Sequence, residues 1–155
     1  MKGRTAVFAL IAGLALASPA LADEGCEGVR GAASAKLSVQ VTGVRSSQGE
    51  VALTIYPDER RRFLAKGGKF ARARVKAQPT SRACFWLPPG SYALALYHDS
   101  NGDRDFNRTL VGLPAEGFGF SNNPETKIGL PPLSAVRFAV GPGERSLSIQ
   151  MRYLR

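Results

Sequence analysis

Hydrophobic and polar residues alternate with a period of two along much of the chain after residue 35. Over Lys36–Val44, Leu37, Val39 and Val41 fall on one face, and Lys36, Ser38, Gln40 and Thr42 on the other. Successive side chains of a strand point to opposite faces, so this stretch predicts a half-buried strand. Ser46-Ser47-Gln48-Gly49 reads as a turn. Val51–Tyr56 then forms a second strand with Val51, Leu53 and Ile55 inward, pairing with the first as a hairpin that Pro57 ends. Asp58–Phe63 fits one helical turn capped by Asp58. Phe70–Ala77 alternates again, with Ala71, Ala73, Val75 and Ala77 opposite Arg72, Arg74 and Lys76. Arg82–Leu87, Ala93–Tyr97, Val136–Val140 and Ser146–Leu154 complete the set. Seven or eight short strands at roughly ten-residue spacing, with no long helix, predict an all-β antiparallel sandwich of the immunoglobulin-like kind.

The N-terminus departs from this pattern. Lys2 and Arg4 precede an apolar run over Ala6–Ala17, Ser18-Pro19 breaks it, and Ala20-Leu21-Ala22 suits signal peptidase. Residues 1–22 therefore read as a secretory signal peptide, too short to span a bilayer, and residues 23–155 as a single β-sandwich domain with no transmembrane anchor after cleavage. The expected location is periplasmic or secreted. In such an oxidising compartment Cys26 and Cys84 are expected to pair. No Cys-x-x-Cys motif supports redox chemistry.

Charge adds a second theme. The chain carries 21 basic and 12 acidic residues, a formal net charge of +9, which becomes +7 without Lys2 and Arg4. Arg60, Arg61, Arg62, Lys66, Lys69, Arg72, Arg74, Lys76 and Arg82 concentrate it in one region. Export and the lack of interleaved aromatics argue against nucleic acid. An anionic envelope polymer, such as lipopolysaccharide, or an envelope protein is the expected partner, with Arg72, Arg74 and Lys76 as its patch. The alternative is a solvated strand face whose charges discourage edge pairing.

Candidate chemistry gathers between residues 97 and 123. Asp99, Asn101, Asp103 and Asp105 place oxygen side chains at alternate positions around Gly102, a candidate calcium loop, calcium being the one cofactor the sequence suggests. It lacks the EF-hand's bidentate Glu, since the twelfth position is Leu110. Without metal, the same residues fit a hairpin whose Asn101-Gly102 take positive φ angles. His98, the only histidine, would serve an enzyme as general acid or base with Asp99 or Glu116 assisting. Strand alternation separates His98 from Asp99, which favours a structural histidine. Glu116, Phe118, Phe120, Asn122 and Asn123 are candidate ligand-binding residues. Gly117 and Gly119 bare one face of that stretch for a ligand or another strand, and Ser121-Asn122-Asn123 are suited to closing the loop onto backbone.

Two resemblances sharpen these expectations. Leu87-Pro88-Pro89-Gly90-Ser91-Tyr92 resembles the Pro-Gly turn and edge tyrosine of transthyretin-like and carboxypeptidase-regulatory-like β-sandwich domains. His98-Asp99-x-Asn101-x-Asp103, the string Gly112-Leu113-Pro114-Ala115-Glu116-Gly117-Phe118-Gly119-Phe120-Ser121-Asn122-Asn123, and Pro131-Pro132 resemble a family of small exported bacterial proteins known only as a domain of unknown function. That resemblance spans roughly Leu37 to Tyr153 and implies an exported β-sandwich, with no established activity. The basic run departs from the family. The expected function is a non-enzymatic binding or interaction module of the bacterial envelope. An enzyme using His98, or an accessory domain bracing an envelope assembly, stands beside it.

Overall fold

A computed structural model describes residues 25–126 and 129–154. The expected signal peptide, residues 1–22, lies outside the described residues. Among the described residues eight strands form two facing sheets. The strands are β1 (Ala35–Thr42), β2 (Glu50–Pro57), β3 (Ala71–Lys76), β4 (Thr80–Leu87), β5 (Gly90–Asp99), β6 (Phe118–Phe120), β7 (Arg137–Val140) and β8 (Glu144–Gln150). A single turn of helix, α1 (Leu133–Val136), precedes β7. One sheet runs β4-β1-β8, the other β3-β2-β5-β6, with β7 pairing the first half of β5 while β6 pairs the second. This is the predicted all-β sandwich.

Alternation sets the core. Leu37, Val39 and Val41 of β1 and Phe85 and Leu87 of β4 meet Leu53, Ile55, Leu94 and Leu96 of the opposite sheet in one cluster. Burying each such side chain contributes roughly 1.5–3 kcal/mol against leaving it in water.

Three local expectations change. First, β1 and β2 are not a hairpin: β1 pairs β4 and β8, whereas β2 pairs β3 and β5. The 43–49 link instead carries the chain from one sheet to the other. Gly49 makes that path tight, because its φ is 70° and a Cβ there would lie 1.9 Å from the Asp99 carbonyl oxygen. Second, β1 and β8 pair in parallel, so the sheets are antiparallel except at this one pair. Third, the single helical turn expected over Asp58–Phe63 is present, but the carboxylate expected to cap it, that of Asp58, instead accepts from Arg137 Nε at 2.8 Å. Phe63 N–H donates to the Glu59 carbonyl at 3.0 Å, and Leu64, at φ 57°, turns the chain away.

The expected Cys26–Cys84 disulfide forms and fastens the N-terminal segment beside β4. Glu27 extends the attachment, donating to the Cys84 carbonyl at 3.0 Å and accepting from Trp86 N–H at 2.8 Å. Among the described residues no helix is long and apolar enough to cross a membrane. Replacing both cysteines by serine should lower the unfolding free energy by about 4 kcal/mol, the chain-entropy value for a closed loop of 58 residues. Urea denaturation of the oxidised wild type and the double variant measures it.

Candidate functional site

The candidate site lies on the outer face of the five-stranded sheet. On β5, Leu94, Leu96 and His98 point inward, and Ala93, Ala95, Tyr97 and Asp99 outward. Strand register stacks the outward residues in rungs. Arg74, Ala52, Tyr97 and Phe118 form one; Arg72, Thr54, Ala95 and Phe120 the next; Tyr56, Ala93 and Arg137 a third. Small residues fill the central positions, leaving room for cover. Phe118, Phe120, Tyr56, Ala93 and Val136 consequently form a second apolar cluster, with Phe63, Leu64, Phe106 and Leu133 against it.

The 100–117 loop, which leaves β5 and returns as β6, frames this face. Asp99 is fully buried, and its carboxylate accepts from Gly102 N–H at 2.8 Å, Arg104 N–H at 2.9 Å and Arg74 Nη1 at 3.0 Å. Arg74 also reaches the Tyr97 hydroxyl at 3.0 Å and the Arg104 carbonyl at 3.3 Å. Burial works against the Arg74 charge, but the Tyr97 and Asp99 contacts outweigh it and raise its pKa. Glu116, also buried, receives Ser100 N–H at 3.3 Å and Asn107 N–H at 3.1 Å. At the surface, Asp103 accepts from Asp105 N–H at 2.9 Å, Asn107 Nδ2 at 2.9 Å and Asn101 Nδ2 at 2.8 Å, which lowers its pKa.

The four residues named for calcium are therefore not gathered round one centre. Asp99 bonds Arg74 on the outer face, Asn101 and Asp103 bond each other, and Asp105 lines a neighbouring recess. Among the described residues no group of three or more His, Cys, Asp or Glu side chains is placed to hold a metal ion. The type I′ alternative is revised as well. Gly102 and Arg104 take positive φ, 75° and 67°, and the connection is a long loop rather than a two-residue turn.

The possible catalytic trio is likewise dispersed. His98 is 2% exposed, its Nε2 lies 2.8 Å from the Gln48 carbonyl and its Nδ1 2.8 Å from the Tyr153 hydroxyl. A carbonyl only accepts, so Nε2 donates, and in the neutral ring Nδ1 then accepts from Tyr153. That hydroxyl in turn accepts from Arg45 N–H at 3.1 Å. Asp99 points to the opposite face of β5, and both Glu116 oxygens hold loop amides.

The glycine face of β6 is filled by protein. A Cβ at Gly119 would lie 3.0 Å from Ile149 and from the Gln150 carbonyl, and one at Gly117 2.4 Å from the Tyr153 ring. Asn122 and Asn123 sit at φ 65° and 48°, a region asparagine tolerates. Asn122 Nδ2 donates to the Arg137 carbonyl at 2.8 Å, and Asn123 bonds the Ser148 carbonyl and Gln150 N–H, joining β6 to both sheets. Their polar groups thus close the loop onto backbone.

The phenylalanine face does open onto a space. A recess of about 270 Å³ has Tyr56, Tyr97, Phe106, Phe118 and Phe120 in its floor and walls, with Arg72, Arg104, Arg108 and Asp105 among its polar lining. The rings touch in series, Tyr97 to Phe106 at 5.6 Å, Phe106 to Phe118 at 6.4 Å and Phe118 to Phe120 at 6.1 Å. Arg108 lies over Phe106 at 5.1 Å, and Arg72 donates to Thr54 Oγ1 at 2.9 Å. Burial pushes the Tyr56 phenol up, while the neighbouring Arg72 pulls it back. Of the basic patch expected to meet an anionic partner, Arg72 reaches this recess, Arg74 is committed to Asp99, and Lys76 is exposed at the end of β3.

The family described as "Uncharacterized protein conserved in bacteria (DUF2141)" matches residues 39–148. The chain belongs to this family. The matched segment carries the recess, the 100–117 loop and most of both apolar clusters, and it leaves out Cys26. No curated protein and no solved structure matches the chain. At the turn that enters β5, the Tyr92 hydroxyl donates to the Pro88 carbonyl at 2.9 Å.

Sequence reasoning missed Tyr56, Tyr97, Phe106, Arg104 and Arg108 as recess residues. One signal was present: β2 and β5 carry apolar or small residues on both faces, which marks a strand covered on both sides.

Two outcomes test this description. Asp99→Ala removes the buried acceptor of the Gly102 and Arg104 amides and leaves the partly buried Arg74 with only Glu50, at 3.6 Å, as a carboxylate partner; it should cost about 3 kcal/mol, part of it restored by Arg74→Met in the same chain. Denaturant titration of the four proteins gives the coupling. Burial raises the Tyr153 pKa, with Arg45 opposing it. A phenol held above its unfolded value of about 10 contributes stability fully below that pH and loses it as pH rises through the folded value. The thermal midpoint should fall above about pH 10, and Tyr153→Phe should make that fall shallower.

Proposed function

We propose that the domain is an exported, non-enzymatic binding module that takes an anionic envelope glycan in the recess under the 100–117 loop. The observation that carries this reading is the pairing of a contiguous aromatic floor with three arginines at one opening. Aromatic faces stack against the apolar faces of sugar rings, and guanidinium groups bind phosphate or carboxylate through paired, charge-assisted hydrogen bonds. Among the described residues Asp105 is the one acidic side chain in the lining, so the recess favours a negative guest. The long-range field of a chain with net charge +9, or +7 without Lys2 and Arg4, adds attraction to anionic material.

Export supports the same reading. A leader at residues 1–22 and the Cys26–Cys84 disulfide suit the periplasm or the cell exterior. Calcium is not required, because the loop's buried carboxylates already hold backbone amides.

The test is calorimetric titration with the soluble core oligosaccharide of lipopolysaccharide, phosphorylated and dephosphorylated. The phosphorylated probe should bind, with affinity falling steeply as salt rises. Arg72→Met should weaken it roughly tenfold, the usual worth of a charge-assisted contact. Equal binding of both probes, or no loss in Arg72→Met, contradicts the reading.

A further inference from the structure

The outer part of the 100–117 loop is a miniature ribbon that holds apolar residues out into water. Arg108 and Pro114 form an antiparallel bridge, Ala115 N–H donates to the Asn107 carbonyl at 3.0 Å, and Thr109 N–H to the Leu113 carbonyl at 2.8 Å. The tip is closed by Gly112 N–H on the Thr109 carbonyl at 2.8 Å, Leu113 N–H on Thr109 Oγ1 at 3.2 Å, and Arg108 Nη1 on the Gly112 carbonyl at 3.0 Å. Leu110 is fully exposed, Val111 81% and Leu113 53%. Leu130, at 51%, lines the neighbouring recess. Scattered exposed apolar residues are ordinary. Three within four positions, at the apex of a hydrogen-bonded turn, are not scattered.

We infer that this tip is a wedge that enters the surface of an anionic lipid bilayer. A two-stranded ribbon whose turn exposes its apolar side chains suits a soft interface. From Phe106 to Ala115 Arg108 is the only charged residue, so nothing acidic follows the apolar side chains toward lipid. Arg104 and Arg108 stand behind the apex, where phosphate headgroups would lie, and the chain's positive charge draws it toward such a surface. The acids at the ribbon's base are Asp103, which bonds Asn101, Asn107 and Asp105 N–H, Asp105 in the recess, and Glu116, which is buried and holds the Ser100 and Asn107 amides. The ribbon's internal bonds mean that little ordering is lost on insertion. This contact shares Arg104 and Arg108 with the recess, and its own determinants are the apolar residues of the apex.

Co-sedimentation of the leader-free exported chain with vesicles of phosphatidylglycerol and phosphatidylcholine tests it, with pure phosphatidylcholine vesicles alongside. The chain should partition onto the anionic vesicles. A Leu110→Asp, Val111→Asp double variant should partition roughly tenfold less while keeping the wild-type thermal midpoint, since both residues are exposed. Val111→Trp should show blue-shifted fluorescence on those vesicles. No partition of the wild type overturns the inference. So does undiminished partition of the double variant, which would reduce the effect to charge alone, and so does an unshifted tryptophan.

Discussion

Everything on the outer face hangs on one buried carboxylate. Asp99 exposes none of its surface, and an ionised carboxylate in that position is tolerable only with full hydrogen bonding and a countercharge. Arg74 supplies the charge from β3, and Gly102 and Arg104 supply amides from the loop. Three otherwise separate pieces are thereby fixed to one another: the end of β5, the edge strand and the start of the 100–117 excursion. Glu116 repeats the device at the far end of the loop. A loop pinned at both ends by buried carboxylates can keep an arginine-rimmed recess open and an apolar apex in water.

The two faces of β5 divide the work. Inward, Leu94, Leu96 and His98 belong to the sandwich, and the His98–Tyr153–Arg45 chain of hydrogen bonds closes the end where β1 crosses to β2. Outward, Ala93, Ala95 and Tyr97 form the bed on which the aromatic rings lie. The histidine that invites an acid or base role is thus part of the wall, and the face with room for a ligand is the other one. The family segment, residues 39–148, holds this arrangement, while the disulfide adds a tether from outside it.

Period-two patterns made the strands and their inward residues legible, because alternation reports which side chains share a face. Leu37, Val39 and Val41 are buried as the pattern requires. Alternation says nothing about which strand lies alongside, so β1 and β2 passed for a hairpin although they belong to opposite sheets, and the parallel β1–β8 pair left no local mark. The signature loop stood out by composition, but its meaning turned on Arg74, 25 residues from Asp99 in sequence. Without that partner, alternating Asp and Asn look like metal ligands. With it, they are acceptors for the chain's own amides. The recess needed three segments brought together by register, and short-range spacing does not carry that information.

The claim that the loop is ordered by its own carboxylates is most directly tested by amide hydrogen exchange in excess chelator. The Gly102 and Arg104 amides on Asp99, and the Asn107 amide on Glu116, should exchange slowly, and millimolar calcium should leave their rates unchanged. Fast exchange in chelator that becomes slow only when calcium is added would contradict the account and make the loop a metal-ordered one.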